Sequence, residues 1–307
     1  MTLELASFLT TDNLTLPALL YQPDKTTKRA AIWLHGMGDN GIFYRPERIN
    51  ALGKALTKQG IALLGFNNRG AHHAKRLSIA DETLPEDDRG YQAGTYYERI
   101  ADSVYDIDGA VNYLKYRGFA EFYLLGHSTG ANKVCVYHAK SQKSPFSKYV
   151  LAGAGDDTGL FFASLGAKKF WAALSYAAEA VTSGDGLKIM PKYSGMHPFS
   201  AQATWDILNP DGDYNTFPFY EYTDERLGTK PLFTEYKSID RPTLVIYGEE
   251  DEYTSTAGGA ADARDILLEQ TSNQMLKQID FMLVPEADHS FHGHESEFAQ
   301  RVAEWLA

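Results

Sequence analysis

Short apolar runs alternate with amphipathic ones along most of this chain. Leu3 to Leu9 and Leu14 to Tyr21 are extended patterns split by the turn residues Asp12-Asn13. They predict an N-terminal hairpin, and Pro17 predicts that its second run lies at a sheet edge. Ala30 to Leu34, Ile61 to Phe66, Phe122 to Leu125 and Tyr149 to Ala154 are short continuous apolar runs of the buried-strand type. Between them, Glu47 to Lys58, Tyr97 to Tyr116 and Ala131 to Lys140 have a helical pattern, the second with apolar residues at Ile100, Val104, Ile107, Val111 and Leu114. Alternation of this kind implies an α/β fold with a mostly parallel central sheet and helices on both faces.

The rhythm breaks after Gly155. Residues 157–241 contain no comparable buried strand and are rich in aromatics, among them Phe162, Phe170, Trp171, Tyr193, Phe199 and Trp205. The pattern resumes with Thr243 to Tyr247 and continues through Asp280 to Val284 and a closing helix, Glu295 to Leu306. The expected organisation is a core formed by residues 1–156 and 242–307 and an inserted cap at 157–241. Ligands in open α/β sheets bind beyond the carboxyl ends of the strands, so the cap is expected over that edge.

A length of 307 residues suffices for one large domain with an insertion. The net charge of -11 argues against nucleic acid or an anionic membrane as partner. The single cysteine, Cys135, excludes an intrachain disulfide and reads as a small core residue. The N-terminal residues lack a basic segment followed by an apolar run, and no run reaches transmembrane length, so a cytoplasmic location without membrane insertion is expected.

The candidate chemistry centres on Phe122-Tyr-Leu-Leu-Gly126-His127-Ser128-Thr129-Gly130, an apolar strand ending in Gly-x-Ser-x-Gly before a helical run. A strand-to-helix turn this tight lifts the Ser128 hydroxyl clear of the sheet and aims the first N–H groups of the helix at whatever the serine attacks. A serine hydroxyl needs a base, and the base an orienting acid, in the order Ser, Asp or Glu, His. Val245-Ile-Tyr-Gly248-Glu-Glu-Asp251 ends one later strand in an acidic turn, and Val284-Pro-Glu-Ala-Asp288-His289-Ser-Phe ends the last in a histidine loop.

With these three motifs in order, each at a strand end, the chain resembles a serine hydrolase of the α/β-hydrolase superfamily, of the capped carboxylesterase or feruloyl-esterase kind. The resemblance runs from about Ala30 to the C-terminus apart from the cap. It implies that Ser128 is the nucleophile, Asp251 the acid and His289 the base. Glu249, Glu250 and Glu252 compete with Asp251, whereas Asp288 adjoins the histidine and cannot easily reach its Nδ1. The oxyanion hole would combine the Thr129 N–H with that of Met37, in the loop His35-Gly36-Met37-Gly38-Asp39-Asn40-Gly41. His35 would fix that loop by side-chain hydrogen bonds. His292 and His294 form no metal signature with His289.

The same loop holds Gly36-x-Gly38-x-x-Gly41, a literal dinucleotide fingerprint, with Arg69 after the next strand placed to hold a 2′-phosphate. Against an NADP-binding oxidoreductase, Ile42-Phe-Tyr-Arg-Pro46 separates the last glycine from the helix, which would cost the pyrophosphate its helix N-terminus. Asn67 to Gly94 reads as a long polar loop with Arg69-Gly70 as a structural turn. The reading is therefore a serine esterase acting on small neutral, acyl or aromatic esters through an acyl-enzyme, with no metal or organic cofactor. Thioester or amide hydrolysis, acyl transfer and a non-enzymatic ligand receptor are alternatives on the same fold.

Overall fold

The computed structural model describes residues 1–39, 41–43, 46–141, 143–191, 198–254, 256–272 and 275–307. Asn40, Tyr44, Arg45 and Tyr193, which entered the sequence reading, lie outside them. The strands are β1 (Thr2–Leu9), β2 (Thr15–Gln22), β3 (Arg29–Leu34), β4 (Ala62–Phe66), β5 (Lys75–Ser78), β6 (Gly90–Ala93), β7 (Glu121–His127), β8 (Phe146–Ala152), β9 (Thr243–Gly248) and β10 (Ile279–Val284). Helices α1 (Pro46–Lys58), α2 (Ser103–Tyr116) and α3 (Thr129–Lys140) separate the earlier strands. After β8 come α4 (Asp157–Leu165), α5 (Ala167–Thr182), α6 (Ala201–Leu208), α7 (Phe219–Thr223) and α8 (Thr234–Lys237). Helices α9 (Gly259–Gln270) and α10 (Glu295–Leu306) complete the chain.

Eight strands form one sheet in the order β1-β2-β4-β3-β7-β8-β9-β10, parallel from β4 to β10, with β1 and β2 antiparallel at one end. Side chains alternate between the sheet's faces with a period of two. Ile32, Leu64, Leu124, Leu151 and Val245 face Ile107 and Leu114 of α2, Val134 of α3 and Leu267 of α9. Trp33, Leu63, Leu125, Val150 and Leu244 face Leu52 and Leu56 of α1 and Phe298 and Val302 of α10. Burial on both faces is why these strands are continuously apolar in sequence. Cys135 lies in the first of these clusters, fully buried, and burial pushes its thiol well above the ordinary range.

Three expectations need correction. Pro17 does not mark the sheet edge: β2 lies between β1 and β4, and β1 is the edge strand. The Pro17 carbonyl accepts from Asn67 N (3.1 Å), so its missing N–H points toward β4, whose pairing with β2 begins only at Ala18. Pro17 stands opposite Asn67 in this register, so the one bond it cannot make is the reciprocal N–H to Asn67 O, at the very end of the ladder. The helix expected from Tyr97 begins as α2 at Ser103, after a 3₁₀ turn at Ile100–Asp102, because Arg99 is extended (φ -111°, ψ 127°). Finally, residues 67–94 are not simply a solvated loop, since β5 and β6 pair antiparallel as a small second sheet.

Arg69 anchors that segment from inside. It is 2% exposed; its Nε and Nη2 donate to Asp106 Oδ1 (2.9 and 2.8 Å) and Nη2 also to Asp12 Oδ1 (2.9 Å). The backbone N–H of Arg69 donates to Asp106 Oδ2 (2.8 Å). Asp106→Ala removes three of these four bonds and leaves the buried guanidinium with Asp12, so it is expected to lower the unfolding free energy by about 3 kcal/mol. Urea denaturation would measure it, and a loss below about 1 kcal/mol would contradict this account.

The aromatic segment after β8 packs in two different ways. Phe162, Phe170, Phe199, Ile207 and Tyr214 form a cluster of their own with Ile100 and Val136, against which Met37 and Tyr96 pack. Phe217, Phe219, Phe233 and Tyr236 instead join the main core beside the sheet. Among the described residues no helix is long and apolar enough to cross a membrane.

Candidate active site

Strand β7 and helix α3 meet at Ser128, whose φ of 56° and ψ of -131° place a non-glycine residue in a region that costs roughly 1–3 kcal/mol. Neighbouring structure holds it there: Ser128 N donates to Ala152 O (2.8 Å), and Ala131 N donates to Ser128 O (2.7 Å). The flanking glycines are dictated by contact. A Cβ on Gly126 would stand 2.1 Å from Gly130 O, and one on Gly130 would stand 2.3 Å from Leu34 O. Ser128 is partly exposed, and among the described residues its hydroxyl makes no hydrogen bond.

His289 and Asp251 come from the loops after β10 and β9, and both are buried. His289 Nδ1 lies 2.8 Å from Asp251 Oδ1 and 2.9 Å from Oδ2, so Nδ1–H donates to the carboxylate and Nε2 is left as the basic nitrogen. Asp251 Oδ1 also accepts from Tyr253 N (2.9 Å), and the Tyr253 and His289 rings lie 4.8 Å apart. The competing acids are engaged elsewhere. Glu252 Oε2 accepts from the backbone N–H of His289 (3.1 Å), Glu249 Oε2 from Glu286 N (3.3 Å), and Glu250 is exposed. Asp288 Oδ1 accepts from His292 N (2.8 Å), and His294 Nδ1 lies 3.8 Å from Glu297.

The loop after β3 lies against the serine, since a Cβ on Gly36 would stand 2.7 Å from Ser128 Cβ. His35 Nε2 accepts from Asn68 N (3.2 Å), so its Nδ1–H donates to Gly36 O (2.9 Å). Burial, and then the Lys133 charge, hold His35 well below the ordinary range. Among the described residues the N–H groups of Met37 and Thr129 donate to no protein acceptor. The glycines of the dinucleotide-like pattern are occupied by the fold. Gly38 N donates to Thr95 Oγ1 (2.9 Å), Gly41 N and Ile42 N donate to Asn67 Oδ1 (2.8 and 3.0 Å), and a Cβ on Gly41 would stand 2.2 Å from Phe66 O. Those amides are not turned toward a pyrophosphate.

One carboxylate at this site was not anticipated. Asp157, at the start of α4, accepts from Thr129 Oγ1 (3.0 Å). It is partly exposed, yet the protein packed around it pushes its carboxyl up to about 6, with Thr129, His289 and Lys133 acting in the opposite direction. The acidic pair Asp156-Asp157 directly after β8 was the signal available in sequence. Because its folded-state pKa exceeds the ordinary 3.8, the folded protein holds this proton more tightly than the unfolded chain. Its contribution to stability is full below about pH 4 and is lost as pH rises through about 6. Asp157→Asn stays neutral throughout. The Tm of the variant minus that of the wild type is therefore expected to be greater at pH 8 than at pH 4, and equal differences would refute the shift.

The architecture is that of the α/β hydrolases. The chain belongs to the family described as "Protein of unknown function (DUF1749)", whose model matches residues 96–306. No curated protein matches it in sequence. Among solved structures it is similar to Est1E from Butyrivibrio proteoclasticus with ferulic acid bound, at 15% identity and TM-score 0.62 over 98% of each chain. GrgF, an alpha/beta hydrolase from Penicillium sp. sh18, aligns with TM-score 0.64 and 15% identity, covering 100% of this chain and 98% of that one. The Pyrococcus furiosus esterase Pf2001 aligns with TM-score 0.54 and 15% identity, over 99% and 92% of the two chains.

Proposed function

We propose that this protein is a serine hydrolase that cleaves carboxylic esters of small neutral, acyl or aromatic substrates through a covalent acyl-enzyme. The observation that carries the reading is the Asp251–His289 pair, at 2.8 Å, at the strand ends beside a serine held at φ 56°. In this reading Ser128 Oγ attacks the ester carbonyl while His289 Nε2 accepts its proton and passes it to the departing alcohol. Asp251 holds the Nδ1–H tautomer and stabilises the imidazolium. Thr129 and Met37 N–H groups receive the developing oxyanion. Water then attacks the acyl-enzyme with His289 again as base, releasing the acid. Hydrogen bonds of this kind often tighten only with substrate present, which accommodates the unbonded hydroxyl of Ser128.

Residues 157–241 serve in this proposal as a cap whose aromatic first half, packed against Met37, supplies an apolar wall for the acyl group. Ferulic acid in Est1E supports an aromatic acyl group as the first substrate class to try. The test is fluorophosphonate labelling of the purified protein with peptide mapping, beside p-nitrophenyl esters of increasing chain length and a feruloyl ester. One adduct on Ser128 with turnover of any ester supports the proposal. A folded protein that neither labels nor turns over would overturn it.

A further inference from the structure

We infer that Arg48 is a positioning residue for the hydrolytic site, its guanidinium fastening the loop of the oxyanion donors to the loop of the base, to which His127 in turn fastens the nucleophile elbow. The inference rests on the serine-hydrolase reading above. Arg48 lies in the first turn of α1, outside every motif of the triad. Its Nη2 donates to Asp39 Oδ2 (2.8 Å), in the same loop as Met37. Its Nη1 donates to Ser290 O (3.3 Å), the residue after His289. The same Nη1 stands 3.4 Å from Nε2 of His127, the residue before Ser128.

His127 completes the tie. Its Nε2 lies 2.7 Å from His289 O, and since a carbonyl only accepts, Nε2 carries the proton. The nucleophile elbow is thereby hydrogen-bonded to the backbone of the base. Nδ1 of His127 is then unprotonated, and among the described residues it is buried without a partner. A second proton, on Nδ1, would give the buried ring a positive charge beside Arg48, and burial followed by the Arg48 charge holds His127 well below the ordinary range. Beneath the guanidinium lies Trp33, the penultimate residue of β3, with its ring 5.5 Å from Arg48 Cζ and stacked on His127 at 6.2 Å.

The arrangement suits arginine and no other cation. A planar fork can serve a carboxylate on one nitrogen and a carbonyl on another while its face rests on an aromatic ring, whereas an ammonium is a point donor on a flexible stem. With the side chains of Arg48 and Asp39 only 13% and 21% exposed, water does not readily replace the lost bonds. A displacement of about 1 Å between reacting groups can cost on the order of 10² in rate. Loss of the fork should therefore slow acylation rather than weaken substrate binding.

The experiment is the second-order rate constant for fluorophosphonate labelling of Ser128, with kcat and KM on a p-nitrophenyl ester, for wild type, Arg48→Met, Arg48→Lys, Asp39→Asn and the double variant Arg48→Met/Asp39→Asn. Arg48→Met retains the aliphatic stem over Trp33 and is chosen to preserve folding, checked by circular dichroism and Tm. The expected result is labelling and kcat slower by roughly 10–10² with KM nearly unchanged, partial recovery in Arg48→Lys, and a loss in Asp39→Asn that is not additive with that of Arg48→Met. Wild-type rates in a folded Arg48→Met protein, or an effect confined to KM, would overturn the positioning role and leave the hydrolase reading intact. Failure of the wild type itself to label or turn over would overturn both. If Arg48→Met does not fold, Asp39→Asn decides, because it cuts the same tie from the loop side.

Discussion

Ser128→Ala is expected to reduce ester hydrolysis by on the order of 10⁴–10⁶ while leaving the thermal melt close to that of the wild type. Both halves of this result follow from the geometry. Among the described residues the Ser128 hydroxyl holds nothing together, so its removal takes no bond from the folded state. The backbone that bears the cost of a positive φ is the same for alanine as for serine, and it is held by Ala152 O and Ala131 N in either case. Activity on a p-nitrophenyl ester and a calorimetric melt would check the two halves independently. Retained turnover would eliminate the acyl-enzyme, and a collapsed melt would show that the hydroxyl has a structural role not accounted for here.

Asp251→Asn is expected to lower kcat by about 10⁴. The carboxylate accepts from Nδ1 with both oxygens, at 2.8 and 2.9 Å, which keeps the proton on Nδ1 and the lone pair on Nε2. An asparagine amide can instead donate to Nδ1, moving the proton to Nε2 and leaving the serine without a base. Glu250→Gln, at an exposed position, is expected to leave kcat within a factor of two or so. Glu252→Gln should fall between, since Glu252 touches only the backbone of His289. Equal losses in Asp251→Asn and Glu250→Gln would mean that the orienting acid has been assigned to the wrong residue.

Much of this was legible in the sequence because its signals were local. The strands buried on both faces announce themselves as unbroken apolar runs, and the parallel direction of most of the sheet follows from the βα alternation. The elbow was legible for the same reason: Gly126 and Gly130 are required by contacts that the turn itself generates. Asp251 could be preferred over its acidic neighbours only by resemblance, whereas in the folded chain its two contacts with His289 Nδ1 distinguish it. What stayed hidden depends on residues far apart in sequence. Arg48 and Ser290 are 242 positions apart, and no periodicity relates them. Pro17 misled because the usual rule asks whether a strand is central, when the relevant fact is on which side its missing N–H falls and where the neighbouring ladder starts. Arg69, read as part of a polar loop, is drawn inward by carboxylates from the first hairpin and from α2.

The divided packing of the aromatic segment sets a limit on how such proteins can exchange specificity. Tyr214 belongs with Phe162 and Phe170, while Phe217, three residues later, is already part of the core shared with the sheet. A graft from a relative that replaced everything between β8 and β9 would remove the foundations along with the roof. One spliced near Asn215 and Thr216 would exchange only the cluster against which Met37 packs, so under the proposed cap role the portable unit of specificity is shorter than the inserted sequence.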